Sequence, residues 1–204
     1  MITLLLPSKG RPDKASEAIE CFNKCRATAQ ILLVLNEGED YGLDVPTIHV
    51  PAQSMCEAVN IAAQSVETDF IGFIGDDHHI RTPGFDEVFE RALENSNIVY
   101  GNDLLMKERL ATHCVMKTEV VKRLGYMAIP GLTHLFMDNF WMELGAKYIP
   151  GVIVEHMHYS VGKSKNDDRY KAVNSNDIFN HDKRIFDDWK KTQKHTDLEK
   201  LHGI

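Results

Sequence analysis

The sequence predicts an α/β fold: a mostly parallel sheet flanked by helices. Three observations predict it. Short apolar runs, such as residues 2–6 and 31–35, have the length of buried strands and are too short for helices. They alternate with segments of helical spacing through the first half, an order that calls for parallel strands joined by right-handed crossovers. The chain has 204 residues, 43% hydrophobic and 26% charged, which suits one packed domain.

The elements follow in order. Residues 2–6 form a continuous apolar run closed by Pro7, a buried strand. Residues 13–29 have helical spacing, with Ala18, Ile19, Phe22 and Cys25 on one face. Residues 31–35 give a second buried strand, and the turn-rich segment from Asn36 to Asp40 follows it. A short third strand spans 47–50. A helix over 54–66 has Ser54 as its N-cap and Ala58, Ile61, Ala62 and Val66 turned inward. Residues 70–74 make a fourth strand. A helix over 83–94 opens with Pro83, which suits a first turn.

The second half continues with strands over 98–101 and 110–116. Short helices over 118–124 and 136–144 end at Gly125 and Gly145. Residues 148–158 alternate as a strand, which puts His156 and His158 on one face. Residues 162–176 are polar and basic, and 177–201 read as one amphipathic helix with Ile178, Ile185, Phe186 and Trp189 as its apolar stripe. The expected division is therefore a domain over 1–160, and a basic loop with a C-terminal helix over 161–204.

The net charge of −7 argues against a broad nucleic-acid surface, although Lys163, Lys165, Arg169 and Lys171 offer a local basic track. Cys21, Cys25, Cys56 and Cys114 form no CxxC pair and read as reduced thiols. The apolar run at the N-terminus has the wrong length and flanks for a signal peptide, and no stretch approaches a membrane helix. The expected location is cytoplasmic.

Open α/β sheets hold ligands beyond the carboxyl ends of their strands. The predicted ends are Pro7-Ser8-Lys9, Asn36-Glu37, Pro51 and Asp76-Asp77, and they should line one crevice. The run Asp76-Asp77-His78-His79 is either a solvated turn or a site for a divalent cation and the phosphates it carries. Carboxylate oxygens from Asp76 and Asp77 with imidazole nitrogens from His156 and His158 make a shell suited to Mn²⁺ and workable for Mg²⁺ or Zn²⁺. Lys9 and Arg11 follow the first strand and can meet a nucleotide. Gly162-Lys163-Ser164 resembles the end of a phosphate loop, but Met157 stands where that motif needs glycine, so the motif is rejected. Lys163 can still reach a phosphate from its loop. Asp138 opens a helix, either as a general base or as an acidic residue favoured by the helix dipole. There is no GxSxG, HExxH or GxGxxG.

The order of these pieces resembles a GT-A glycosyltransferase of the family 2 type. LLLPSKGRPDKASEAI is similar to that family's first strand, turn and helix, and LLVLNEGED to its second strand with an acidic end. CEAVNIAAQSVETDFIGFIGDD resembles the helix followed by the DxD strand. TPGFDEVFERAL resembles the next helix, and CVMKTEVVKRLGYM the segment before the acceptor site. MDNFWMELGAKYIPGVIVEHMHY resembles the acidic catalytic helix and the last strand with its metal-binding histidine. The likeness covers roughly residues 1–160, and its compact form is similar to small bacteriophage glycosyltransferases.

The resemblance implies a cation-dependent transfer of a sugar from a nucleotide-diphosphate donor, UDP-linked, to an acceptor hydroxyl with inversion. It implies Asp138 as the base. Pro7, Ser8, Lys9, Arg11, Asn36, Asn60, Asp76 and Lys163 would face the nucleotide, with Asp76 by the ribose. Asp77 would bind Mn²⁺ or Mg²⁺, completed by His156 or His158. The first aspartate of DxD aligns with Gly75; shifted by one, Asp76-Asp77-His78 reads as DxH and makes His78 a ligand. The acceptor is open among a modified DNA base, a protein and a polysaccharide. A phage origin implies the host cytoplasm. The rival readings are a nucleotidyltransferase, a nucleotide-sugar-binding module without turnover, and a structural phage protein.

Overall fold

A computed structural model describes residues 1–164 and 167–204, without the side chain of Arg169. Lys165 therefore lies outside the described residues, as does the Arg169 side chain. The strands are β1 (Ile2–Pro7), β2 (Gln30–Asn36), β3 (Thr47–Val50), β4 (Phe70–Phe73), β5 (His78–Ile80), β6 (Ile98–Asn102), β7 (Cys114–Lys117) and β8 (Lys147–His156). They form one sheet in the order β3-β2-β1-β4-β7-β6-β8-β5. The first four run parallel. β7 is antiparallel to β4 and β6, β8 is parallel to β6, and β5 closes the far edge antiparallel to β8.

The helices are α1 (Pro12–Cys25), α2 (Met55–Ala63), α3 (Phe85–Leu93), α4 (Thr118–Leu124), α5 (Met137–Glu143), α6 (Asp168–Val173), α7 (Asn176–Thr192) and α8 (Lys194–Lys200). Period-2 alternation splits the core into two layers. Ile2, Leu4 and Leu6 of β1 face one side, where they join Phe22 of α1 and Phe85 and Phe89 of α3. Leu5 faces the other, with Val59 of α2, Val121 of α4, Trp141 of α5 and Trp189 of α7. Both faces of the parallel strands are thus covered, which explains their unbroken apolar runs.

Several predicted boundaries change, each for a local reason. α1 stops at Cys25 because the next free N–H groups, those of Ala27, Thr28 and Ala29, are donated to the buried Asp86 carboxylate. Pro83 and Gly84 form a turn ahead of α3, and Gly84 holds φ +65°, a conformation open to glycine. Ser54 caps α2 as expected, accepting from the Glu57 N–H, but Ile61 is exposed rather than inward. The single C-terminal helix is two. It breaks at Gln193 so that the buried Asp197 of α8 can accept from Trp189 Nε1 at 2.8 Å and from Gln193 Nε2 at 3.1 Å. The stretch read as a basic loop contains α6, and His78 and His79 lie in strand β5 rather than in a turn.

Candidate active site

A cleft of about 270 Å³ lies beyond the carboxyl ends of β1, β2 and β4. Pro7, Ser8, Lys9, Arg11 and Asn36 line it, together with Asp76, Asp77, His78, Asp138, His156 and His158. The opening expectation of one shared crevice therefore holds for three of the four strand ends; Pro51 does not line it.

At its centre, Asp77, His78 and His156 bring one ligand atom each within 4.8 Å of one another. Sheet register sets this up. β5 pairs with β8 so that His78 stands opposite His156, and their rings stack at 4.4 Å. The loop leaving β4 then delivers Asp77 between them, with Oδ1 at 3.4 Å from His78 Nδ1 and Oδ2 at 3.4 Å from His156 Nε2. Burial pushes the Asp77 carboxyl up, but the contacts from His156 and His78 outweigh it and hold it well below the usual range. Burial and the neighbouring His156 push His78 down, so it stays neutral, the form that ligates metals. His156 Nδ1 is buried with no hydrogen-bond partner among the described residues. One carboxylate and two imidazoles with their ligand atoms this close fit a divalent cation such as Mn²⁺.

Residues behind the group fix its rings. His78 Nδ1 accepts from the Gly75 N–H at 3.0 Å, and its Nε2 lies 3.4 Å from Thr112 Oγ1. Thr112 donates to the buried Asp103, whose backbone carbonyl accepts from the His156 N–H. His113 packs edge-on to His78 and accepts from the Gly101 N–H through Nε2. His158 belongs to a different arrangement. Its Nδ1 accepts from the Ser160 N–H at 3.2 Å and lies 2.8 Å from Ser160 Oγ. The last strand, predicted to run to His158, ends at His156, and among the described residues His156 joins the group of three while His158 does not.

Asp76 sits on the other side of the loop. Ser8 Oγ donates to it at 2.8 Å, and Arg11 Nη1 lies 3.4 Å away. Burial and the charge of Asp77 push its carboxyl up. Asp138, in the first turn of α5, has its carboxyl raised by burial, partly offset by the Asn139 N–H it accepts. A raised carboxylate pKa suits proton abstraction near neutral pH.

Two predicted nucleotide contacts are elsewhere. Asn60 is spent on the chain beyond α4: it donates to Ala128 O at 2.8 Å and accepts from the N–H groups of Met127 and Ala128 at 2.9 and 2.8 Å. Its complementary pair of amide groups makes it a brace, and it does not line the cleft. Lys163 pairs with Glu155 at 2.7 Å and is likewise absent from the lining.

The structure adds residues that sequence reasoning missed. Tyr170 of α6 closes one wall, and its hydroxyl donates to Asp77 Oδ2. Lys14 stands over the Tyr170 ring at 4.6 Å. Asp103 lies two residues beyond the predicted strand over 98–101 and directly follows the observed β6, so the rule of strand ends points near it. Tyr170 carries no such signal, because it follows no strand and the residues from Asn166 to Arg169 before it are polar. Asp182 of α7 is fully buried and accepts from the N–H groups of Thr133, His134 and Leu135 and from Thr133 Oγ1, all at 2.8–2.9 Å. It thereby fixes the loop that presents His134 and Leu135 to the cleft and leads into α5.

No family model matches the sequence, and no curated protein is significantly similar to it. Solved structures are similar. TarS 1–349 of S. aureus aligns over 100% of this chain and 75% of its own, with a TM-score of 0.60 at 10% identity. The mannosyltransferase PcManGT of Pyrobaculum calidifontis, in complex with GDP-Man and Mn²⁺, aligns over 98% and 72%, with a TM-score of 0.59 at 11% identity. Glucosyl-3-phosphoglycerate synthase of Mycobacterium tuberculosis, in complex with Mn²⁺, UDP-glucose and phosphoglyceric acid, aligns over 91% and 78%, with a TM-score of 0.59 at 10% identity.

The chain has the GT-A fold. Its mixed sheet with helices on both faces is the architecture of these glycosyltransferases. No helix among the described residues is long and apolar enough to cross a membrane.

Proposed function

We propose that this GT-A chain is a cation-dependent glycosyltransferase. It takes a sugar from a nucleotide-diphosphate donor, UDP-linked, and passes it to an acceptor hydroxyl with inversion. The observation that carries this reading is the Asp77–His78–His156 group at the strand ends, in one cleft with Arg11, Asn36 and the raised carboxyl of Asp138. Structural neighbours in complex with Mn²⁺ and UDP- or GDP-sugars support it.

Asp77, His78 and His156 would hold Mn²⁺ or Mg²⁺. When bound, the cation neutralises charge on the departing diphosphate. Pro7, Ser8 and Asn36 shape the nucleotide end, and Ser8 orients Asp76 towards the ribose. Lys9 and Arg11 supply positive charge for the phosphates. Asp138 accepts the proton of the acceptor hydroxyl as its oxygen attacks the anomeric carbon. The bond from that carbon to the diphosphate oxygen breaks, and the electron pair leaves with the nucleoside diphosphate. The apolar wall of Met55, Phe73 and Trp141 keeps bulk water from the reacting carbon.

The test is calorimetric titration of UDP, then GDP, with and without Mn²⁺. Metal-dependent UDP binding that disappears in Asp77→Ala is expected. Absence of nucleotide binding with any divalent cation would remove the reading. Asp138→Asn should keep donor binding and lose turnover of the UDP-sugar; retained turnover would remove the base assignment and unchanged absence of turnover in the wild type would favour a binding module.

A further inference from the structure

Helix α6 walls one side of the cleft through Tyr170 and Val173. Its N-cap residue, Asp167, places Oδ1 at 2.7 Å from Arg11 Nη2 and Oδ2 at 3.8 Å from Lys14 Nζ. The same carboxylate accepts from the Tyr170 N–H at 2.9 Å, which ties it to the helix. Three residues on, the Tyr170 ring packs against both cations, its centroid 4.5 Å from Arg11 Cζ and 4.6 Å from Lys14 Nζ. Its hydroxyl donates to Asp77 Oδ2, the carboxylate oxygen that faces His156. Lys14 Nζ is out of solvent and makes no hydrogen bond among the described residues. A buried ammonium so placed has an incomplete set of acceptors, and an anion with more oxygens than one carboxylate would complete it.

Resting on the proposed donor chemistry, we propose that Arg11 and Lys14 form the subsite for the donor's diphosphate, and that α6 occupies it by imitation. The Asp167 carboxylate stands where phosphate oxygens go, and the Tyr170 hydroxyl proton stands where the cation goes on Asp77. Both halves of the metal–diphosphate pair thus have an intramolecular substitute on one helical turn. Donor and cation compete with α6, and binding is weakened by the fraction of molecules in which α6 is seated. Lys14 thereby becomes a donor-binding residue, which the sequence did not single out.

Two conservative variants separate the two substitutes. Asn caps helices as well as Asp does, so Asp167→Asn keeps the start of α6 and weakens its hold on Arg11 and Lys14. Tyr170→Phe keeps the ring and removes the proton without changing net charge. Calorimetric titration with Mn²⁺ alone and with UDP plus Mn²⁺ is the measurement, with circular dichroism to confirm the fold. Asp167→Asn should bind UDP with Mn²⁺ about threefold to tenfold more tightly than the wild type, and Tyr170→Phe should tighten Mn²⁺ by a similar factor. Lys14→Ala should weaken UDP about tenfold and leave Mn²⁺ alone unchanged. If the wild type binds UDP with Mn²⁺ and neither conservative variant binds more tightly, the imitation is overturned and the donor reading stands. If only Asp167→Asn tightens, removal of a negative charge explains it and the imitation is again overturned. If neither wild type nor variants bind UDP or Mn²⁺, both readings fall.

Discussion

Replacing Asp182 with alanine should cost this protein a large part of its stability. The carboxylate is fully buried on α7 and accepts from three backbone N–H groups and one hydroxyl in the loop at 133–135. Hydrogen bonds to a charged group contribute about 1.5–3 kcal/mol each, but bonds that share one acceptor are not additive. Alanine leaves all four donors without the carboxylate, and water entering the gap recovers some of them. A net loss of about 3–5 kcal/mol follows, against a total stability of about 5–15 kcal/mol for a domain. Urea unfolding at 25 °C followed by tryptophan fluorescence reads it directly, because Trp141 and Trp189 are both buried near this helix. With a slope of about 2 kcal/mol per molar, the midpoint should fall by about 1.5–2.5 M. A fall below about 0.5 M at unchanged slope would show that the loop is held by other contacts. It would also sever the proposed link between the C-terminal helix and the approach to Asp138.

Other expectations are as specific. Asn60→Ala should lower stability by about 1–3 kcal/mol, through lost bonds to Met127 and Ala128, while UDP affinity stays at the wild-type value; a large loss of affinity would return Asn60 to the nucleotide. Gly72→Ala should destabilise by about 2 kcal/mol or more in chemical denaturation, because its Cβ would sit 2.7 Å from the Cys114 carbonyl oxygen in the centre of the sheet; a neutral result would mean that the strands part easily there. His78 and His113 have folded pKa values pushed below 6.5, chiefly by burial, so the unfolded chain binds protons more readily in that range. Stability should therefore fall as pH drops from 7 to 5, by up to about 1.4 kcal/mol per histidine per pH unit. A thermal midpoint that is flat over this range would mean that these rings are charged in the fold.

The parts of this fold legible in the sequence are those whose burial is local. β1, β2 and β4 are apolar on both faces; β1 and β2 end at Pro7 and Asn36, and Asp76 stands three residues beyond β4, so each announces itself within a few positions. β5 does not. His78 and His79 have the composition of a turn, and they are a buried strand only because residues 154–156, far along the chain, supply the ladder. α6 is hidden for the same reason. Its one large apolar surface is Tyr170, and that ring is buried by Arg11 and Lys14 from the other end of the molecule. Strand-end reasoning brought Asp77, His78 and His156 into view. Asn60, drawn from the family motif, serves the backbone at 127–128, and Lys163, drawn from its loop, pairs with Glu155. Asp182 was unreadable because nothing near it in sequence shows that a carboxylate there will meet a loop 49 residues earlier.

The register of β5 on β8 carries a further consequence, for the order in which the molecule is made. Side chains alternate between faces, so a slip of one residue would send His78 to the opposite face and dismantle the group with Asp77. That register cannot be chosen until His156 has been synthesised, about 80 residues after His78, and the Tyr170 contact must wait longer still. A chain carrying only the first half has the partners for the pairing of β1 with β2 and β4 and the strand ends from Pro7 to His78, but it lacks Asp138, His156 and Tyr170. Until then His78 and His79 lack their ladder partners, which residues 154–156 supply.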